Sequence, residues 1–213
     1  MIQAFFRLYG LTHSEHQSIM NNIKFIAAVI FMTSDILIKR LHSIIGQNDR
    51  DAFIEKAIKL EQTEYSEKHL DWFRTYPLGI YADLYKFPED YVRNNFDNAL
   101  ILCIVSSYTK VIKENEFFNA SVEQRRKLLK DCRKEAFVWN ELRLRTVTPG
   151  FLKKEVGYYA DENGIPSEEQ DNILPLIDDN ASAAEIGGCY CGDYNYILVN
   201  GDHILMVDCG IWD

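Results

Sequence analysis

Residues 194–207 read YNYILVNGDHILMV and carry the strongest secondary-structure signal of the chain. Aromatic, β-branched and other apolar residues flank Asn200-Gly201, a dipeptide that adopts the positive φ angles of a type I′ turn at little cost. This pattern predicts a β-hairpin whose second strand covers residues 203–207. Both flanks are apolar at successive positions, so we expect the hairpin to be covered on both faces.

Upstream of the hairpin, apolar residues recur at helical spacing. Ser121 and Gln124 form a capping-box pattern, and Pro88 is tolerated in the first turn of a helix. The apolar run 100–105 also fits a buried strand, although the length of the segment favours a helix. The predicted helices cover, in order, residues 14–45, 49 to about 73, 88–111, 121 to about 144, and 151–159.

These elements predict an α+β fold that is mainly α. About four long helices form a helical body over residues 1–154, and residues 155–213 form an acidic segment that ends in the small C-terminal β-hairpin. The chain has 213 residues, of which 47% are hydrophobic, and this is enough to bury the core of one domain. We therefore expect a single domain over residues 1–213.

Charge is distributed unevenly along the chain. The net charge is −9, yet all 23 Lys and Arg residues lie at or before Lys154. Residues 1–154 hold 19 acidic side chains and have a net charge of +4, whereas residues 155–213 hold 13 and have a net charge of −13. Such a segment is unsuited to nucleic acid or an anionic membrane and favours a basic partner.

Residues 1–12 lack the basic and long apolar regions of a secretory signal, and the longest apolar stretch, residues 25–32, is too short to span a bilayer. The five cysteines are an odd number, which favours reduced thiols. The expected location is the cytoplasm.

Several groups of residues resemble parts of catalytic or metal sites. His13 and His16 have the spacing of two metal ligands, but no third ligand can be assigned. The glycine-rich stretch 187–192 lacks the lysine of a phosphate-binding loop. The basic face of the fourth helix suits nucleic acid, but acidic residues are interspersed along it; its basic residues are Arg125, Arg126, Lys127, Lys130, Arg133 and Lys134.

The predicted hairpin places Asp193 opposite Asp208 and Cys191 close to Cys209. Paired carboxylates can share a proton or hold a metal, and thiolates can bind zinc. We interpret Cys189, Cys191 and Cys209 as small buried thiols, and we expect no catalytic residue, no metal and no cofactor.

The size, the lack of a catalytic motif, the acidic segment 161–179 and the compact ending YNYILVNGDHILMVDCGIWD (residues 194–213) resemble bacterial immunity proteins of toxin–immunity pairs, of the contact-dependent or polymorphic-toxin kind. The resemblance implies a non-catalytic toxin inhibitor that binds a cognate toxin domain, such as a nuclease, and occludes its active site. The implied partner-binding residues are Asp161, Glu162, Glu168, Glu169, Asp171, Asp178 and Asp179, with Tyr158 and Tyr159 as aromatic anchors.

Two other functions remain open at this point. One is a small metal-dependent hydrolase built on Cys191, Asp193, His203 and Asp208. The other is a structural or adaptor subunit whose acidic segment docks on the basic helix of a second copy.

Overall fold

A computed structural model describes residues 33–45, 49–75, 78–108, 116–132, 144–162, 164–171, 174–186 and 194–211. Residues Ser34–Asp213 belong to one compact unit. Its helices are α1 (Ser34–Ile45), α2 (Arg50–Ala57), α3 (Tyr91–Asn94), α4 (Phe96–Tyr108), α5 (Glu116–Asn119), α6 (Val122–Asp131), α7 (Pro149–Glu162) and α8 (Ser167–Gln170), with a 3₁₀ turn over Leu174–Leu176.

The described strands form one six-stranded antiparallel sheet in the order β1-β2-β6-β5-β4-β3. The strands are β1 (Ser66–Thr75), β2 (Leu78–Lys86), β3 (Arg145–Val147), β4 (Ser182–Glu185), β5 (Tyr194–Asn200) and β6 (His203–Ile211). The prediction of a mainly helical fold with only a small hairpin is therefore wrong.

The hairpin itself is present, and its turn lies one residue later than predicted. Asn200 pairs with His203, so Gly201 and Asp202 form the turn, with Gly201 at φ 57°. Asp208 consequently lies opposite Asn195 and not opposite Asp193, which is outside the described residues. The predicted carboxylate pair is wrong, because moving the turn by one residue shifts every partner across the hairpin by two positions.

Both faces of the central strands are buried, as the continuous apolar runs predicted. Residues 196–199 of β5 and 204–207 of β6 are all buried. On one face, Leu152, Val156 and Ala160 of α7 belong to the same core cluster as Leu198 and Leu205. On the other face, Ser107 of α4 hydrogen-bonds Asp83 of β2. Since side chains alternate along a strand, α4 and α7 cover opposite faces of the sheet.

The largest departure from the predicted elements is the first hairpin, β1–β2. The helix that begins after Asp49 ends at Ala57. The residues predicted as its second half, and those between it and the next predicted helix, form the two strands. Ile80, Ala82 and Leu84, at every second position, face α7. This alternation is a strand pattern, and it lies between the second and third predicted helices. Pairing of β2 with β6, more than 100 residues later, is a long-range contact that local helical spacing does not report.

The other predicted helices are present in part. Of the helix predicted over residues 14–45, α1 is the described portion, Thr33 before it is not helical, and residues 14–32 lie outside the described residues. The helix predicted over residues 88–111 is divided into α3 and α4.

Residues 100–105 are helical, and the capping box of Ser121 and Gln124 is present with both of its hydrogen bonds. That helix ends at Asp131; residues 133–143 of its predicted continuation lie outside the described residues. The last predicted helix, over residues 151–159, begins two residues earlier: Pro149 is the first residue of α7, and Thr148 Oγ1 accepts a hydrogen bond from the Phe151 amide.

Candidate functional site: an acidic surface at the end of α7

Helix α7 has a buried stripe and an opposite exposed face. Pro149, Leu152, Val156 and Ala160 form the stripe, because the helix covers one face of the sheet. Lys154, Tyr158, Asp161 and Glu162 are exposed on the other side. Tyr158 is 61% exposed; it and Val122 are the exposed large hydrophobic residues in the described part of the chain. An exposed aromatic ring beside two carboxylates is suited to contact with a protein.

A tight turn brings α8 against the end of α7. Gly164 adopts φ 65°, which a glycine accepts without strain, and the chain reverses there. Gln170 then donates from Nε2 to Asp161 Oδ1 at 3.0 Å and to the Ile165 carbonyl at 3.1 Å. This places the exposed Glu168 and Asp171 near Asp161. We call Tyr158, Asp161, Glu162, Glu168 and Asp171 the acidic surface.

The electrostatics of this surface are set by the helix as well as by the side chains. The last turn of α7 contains Asp161 and Glu162 and no basic residue. The carbonyl end of a helix carries roughly half a negative charge, so carboxylates are unfavourable there. Their charges and the helix dipole add at one place, which concentrates the negative potential at the end of α7.

The other predicted contact residues divide between this surface and the body of the protein. Glu169 lies in α8, and its side chain is outside the described part. Tyr159 is partly buried, packs against the core cluster and makes an edge contact with Tyr158. Its ring is therefore less accessible from outside than the ring of Tyr158.

Asp178 and Asp179 form a second site, beside the start of α7 and the β5–β6 turn. Asp178 accepts hydrogen bonds from the Asn180 amide and from the side chains of Asn180 and Asn200. Asp179 is paired with Lys153 at 2.7 Å. Asp178 is therefore held mainly by neutral donors, whereas the carboxylate of Asp179 is largely exposed and makes one ion pair.

Other acidic residues of the C-terminal segment stabilise the fold itself. Glu185 is 3% exposed and forms an ion pair with Arg145, which raises the pKa of that guanidinium mainly through the shared hydrogen bond. Asp202 accepts hydrogen bonds from the amides of Asp90 and Val92 and so caps α3. Composition alone does not separate such carboxylates from those that face solvent.

The basic face predicted for the fourth helix is largely used within the chain. Arg125 donates to the carbonyls of Ile58, Leu60, Phe118 and Ala120. Arg126 pairs with Glu55 at 2.6 Å, and that hydrogen bond lowers the pKa of the Glu55 carboxyl. Lys130 lies 3.8 Å from Asp51. These contacts fasten α6 to α2, which argues against α6 as a docking site for nucleic acid or a second copy.

A histidine, an aspartate and a serine lie together between α4 and the first hairpin. His69 Nδ1 is 2.6 Å from Asp83 Oδ1, and Ser107 Oγ donates to Asp83 Oδ2 at 2.9 Å. A nucleophilic triad requires the serine to hydrogen-bond the imidazole, whereas both groups here contact the carboxylate. The arrangement satisfies a nearly buried aspartate and ties α4 to β1 and β2.

The two described residues of the alternative hydrolase site do not face each other. His203 and Asp208 are five positions apart on β6, so their side chains point to opposite faces of the sheet. Cys191 and Asp193 lie outside the described residues. No group of three or more metal-ligating side chains occurs in the described part, and His13 and His16 fall outside it.

The thiols within the described ranges are Cys103, Cys132 and Cys209, and all three are free. Burial is the main cause that raises the pKa of each of them, so little reactive thiolate forms near neutral pH. The interpretation of Cys209 as a small buried thiol is confirmed; Cys189 lies outside the described residues.

A partly open cleft of about 350 Å³ lies beside the β5–β6 turn. Sequence reasoning missed it, because its walls come from three strands and from the segment before β4. Its lining combines six apolar residues with three polar ones: Leu84, Pro175, Leu176, Ala181, Leu198 and Leu205, with Asp178, Asn200 and His203.

The chain matches no family model, no curated protein and no solved structure. Among the described residues, no helix has both the length and the apolar character needed to cross a membrane.

Proposed function

We propose that the protein is a non-catalytic binding protein that neutralises a basic protein partner, as an immunity protein neutralises its cognate toxin. The observation that carries the proposal is the exposed Tyr158 on the same helical face as Asp161 and Glu162. Residues three and four apart on a helix are neighbours, so the ring and both carboxylates form one contact patch.

The two parts of the patch have different roles in binding. The carboxylates and the negative end of α7 attract a cationic surface and speed the encounter. The Tyr158 ring then buries apolar area at little entropic cost, which slows dissociation. If the partner is a toxin nuclease, its basic substrate groove is the natural target, because the carboxylates imitate the negative charge of a phosphate backbone.

The mechanism is steric and electrostatic occlusion and requires no cofactor or metal. The proposed location is the cytoplasm, where buried free thiols such as Cys103 and Cys209 remain reduced.

Co-expression with the product of the neighbouring reading frame tests the proposal. We expect the full chain to suppress toxicity and to form a stoichiometric complex with that product. Tyr158→Ala should raise the dissociation constant at least about tenfold, as removal of a central aromatic anchor does, and should restore toxicity.

Val122→Ala is the matched control, because Val122 is the other exposed large hydrophobic residue and lies at the start of α6. It should leave the dissociation constant unchanged. Equal effects of the two substitutions, or no complex with the wild-type chain, would contradict the proposal.

A further inference from the structure

We propose that the cleft beside the β5–β6 turn binds a lysine side chain presented by a protein partner. This proposal rests on the proposed function for the nature of the partner, but the chemistry of the cleft is independent of the acidic surface on α7. The ligand it fits is a primary ammonium group at the end of an aliphatic stem.

The strand register builds the floor of the cleft from two adjacent rows. Leu84, Leu205 and Leu198 pair directly across β2, β6 and β5, and form an apolar row. The next row on the same face contains Asn200, two residues after Leu198 on β5, and His203, two residues before Leu205 on β6. At strand rise, the rows are about 7 Å apart. The four-carbon stem of lysine extends about 6 Å, so a stem on the leucine row places its ammonium near the polar row.

Asp178 supplies negative charge on the wall of the cleft. Its hydrogen-bond donors in the described part of the chain are amide groups of Asn180 and Asn200, at 2.7–3.1 Å, and its carboxylate forms no ion pair there. The charge of the carboxylate is therefore oriented by neutral donors and is not cancelled by a cation.

The remaining acceptor capacity favours lysine over arginine. Asp178 Oδ1 already accepts two hydrogen bonds, and Oδ2 accepts one from Asn200 Nδ2. A carboxylate oxygen has about two acceptor positions, so one position remains, on Oδ2. A guanidinium fork uses both oxygens, whereas an ammonium needs only one.

A second acceptor lines the cleft beside Asp178. Asn200 donates through Nδ2, so its Oδ1 remains an acceptor. An ammonium carries three N–H donors and can therefore use Asn200 Oδ1 as well as Asp178 Oδ2.

Titration of the isolated full-length chain with amino-acid probes, followed by amide chemical shifts of residues 178–181 and 200–205, tests the proposal without a partner. We expect Nα-acetyl-lysine methylamide to bind at least about tenfold more tightly than the norleucine analogue, because only lysine makes the charged hydrogen bond. The arginine analogue should bind more weakly than lysine. Equal binding of lysine and norleucine, or tighter binding of arginine, would overturn the proposal.

Two substitutions should change lysine binding in opposite directions. Asp178→Asn should weaken it about tenfold, with retained chemical-shift dispersion showing that the variant is folded. Lys86→Gln should strengthen it, because Lys86 pairs with His203 across β2 and β6 and adds a like charge beside the cleft. An unchanged affinity in both variants would contradict the assignment.

Free pentylamine and the acidic surface provide the remaining controls. If pentylamine binds and the lysine probe does not, the cleft takes a free amine and not the lysine side chain of a protein, which would overturn the proposal. Glu162→Gln should not affect the lysine probe, since Glu162 does not line the cleft. Loss of partner binding in Tyr158→Ala with intact lysine binding separates the two sites, and failure of the probe alone refutes only the cleft.

Discussion

Glu162 occupies a position where its charge opposes the stability of its own helix. It lies in the last turn of α7, which contains Asp161 and no basic residue. Negative side chains at a helix C-terminus are unfavourable, because they meet the negative end of the helix dipole. The Glu162 charge therefore makes no favourable contribution to α7 through the helix dipole.

Neutralising Glu162 should therefore stabilise the protein. We expect Glu162→Gln to raise the free energy of unfolding by about 0.5 kcal/mol, measured by urea denaturation at low ionic strength. The gain should shrink as salt screens the dipole.

Glu123→Gln is the matched control at the opposite end of a helix. Glu123 lies in the first turn of α6, where a negative charge is favourable, so the same change should lower stability by a similar amount. Destabilisation by both substitutions would show that the charge on Glu162 does not oppose the fold.

At the scale of elements, the β5–β6 turn also serves a distant helix. The N-cap residue of α3, Asp90, makes no capping bond with its own side chain. Asp202 in the turn supplies the cap, through hydrogen bonds from the amides of Asp90 at 2.8 Å and Val92 at 3.2 Å. The hairpin is thereby fastened to the segment that leads into α4.

Removing this cap should destabilise the protein more than removing an exposed ion pair. We expect Asp202→Ala to lower the free energy of unfolding by about 1–2 kcal/mol, because two helix amides lose their acceptor. Asp179→Ala, which removes the exposed contact with Lys153, should cost less than about 1 kcal/mol. Thermal and urea unfolding of the two variants measure the difference, and equal losses would contradict the capping role.

The elements that sequence patterns predicted are those determined by local chemistry. The Asn200-Gly201 region, the Ser121 capping box and the apolar helix through residues 100–105 depend on residues close in sequence. Strand β2 acquires its conformation by pairing with β1 on one side and β6 on the other, and the second pairing closes a loop of more than 100 residues. Helical spacing in one segment carries no information about such a partner.

The candidate site was predictable in the same partial way. Composition identified an acidic segment next to Tyr158, but the helix predicted over residues 151–159 ended before Asp161 and Glu162, which the structure places in α7. Composition does not report that Asp202 is a cap, that Glu185 is buried against Arg145, or that Asp178 is held by asparagine side chains. Those roles depend on tertiary contacts with residues far away in the sequence.

In the molecule as a whole, contacts that stabilise the fold explain part of the uneven distribution of charge. Basic residues such as Arg125 and Arg126 are used to join α6 to α2 and neighbouring loops. Several C-terminal acids hold the sheet and its turns. The exposed acids Asp161, Glu162, Glu168 and Asp171 gather where α7 meets α8, with Tyr158 beside them, and this is the surface that we propose for a basic partner.

The association rate with the proposed toxin-domain partner, measured at two salt concentrations, tests the role of the acidic surface. For the double variant Asp161→Asn, Glu162→Gln, we predict association about tenfold slower than wild type at about 0.01 M ionic strength. The two rates should converge near 1 M salt, where the Debye length is about 3 Å. The variant Glu61→Gln, Glu64→Gln removes the same charge from an exposed segment before β1 and should have a much smaller effect. Equal association rates for wild type and the α7 variant at low salt would contradict the account.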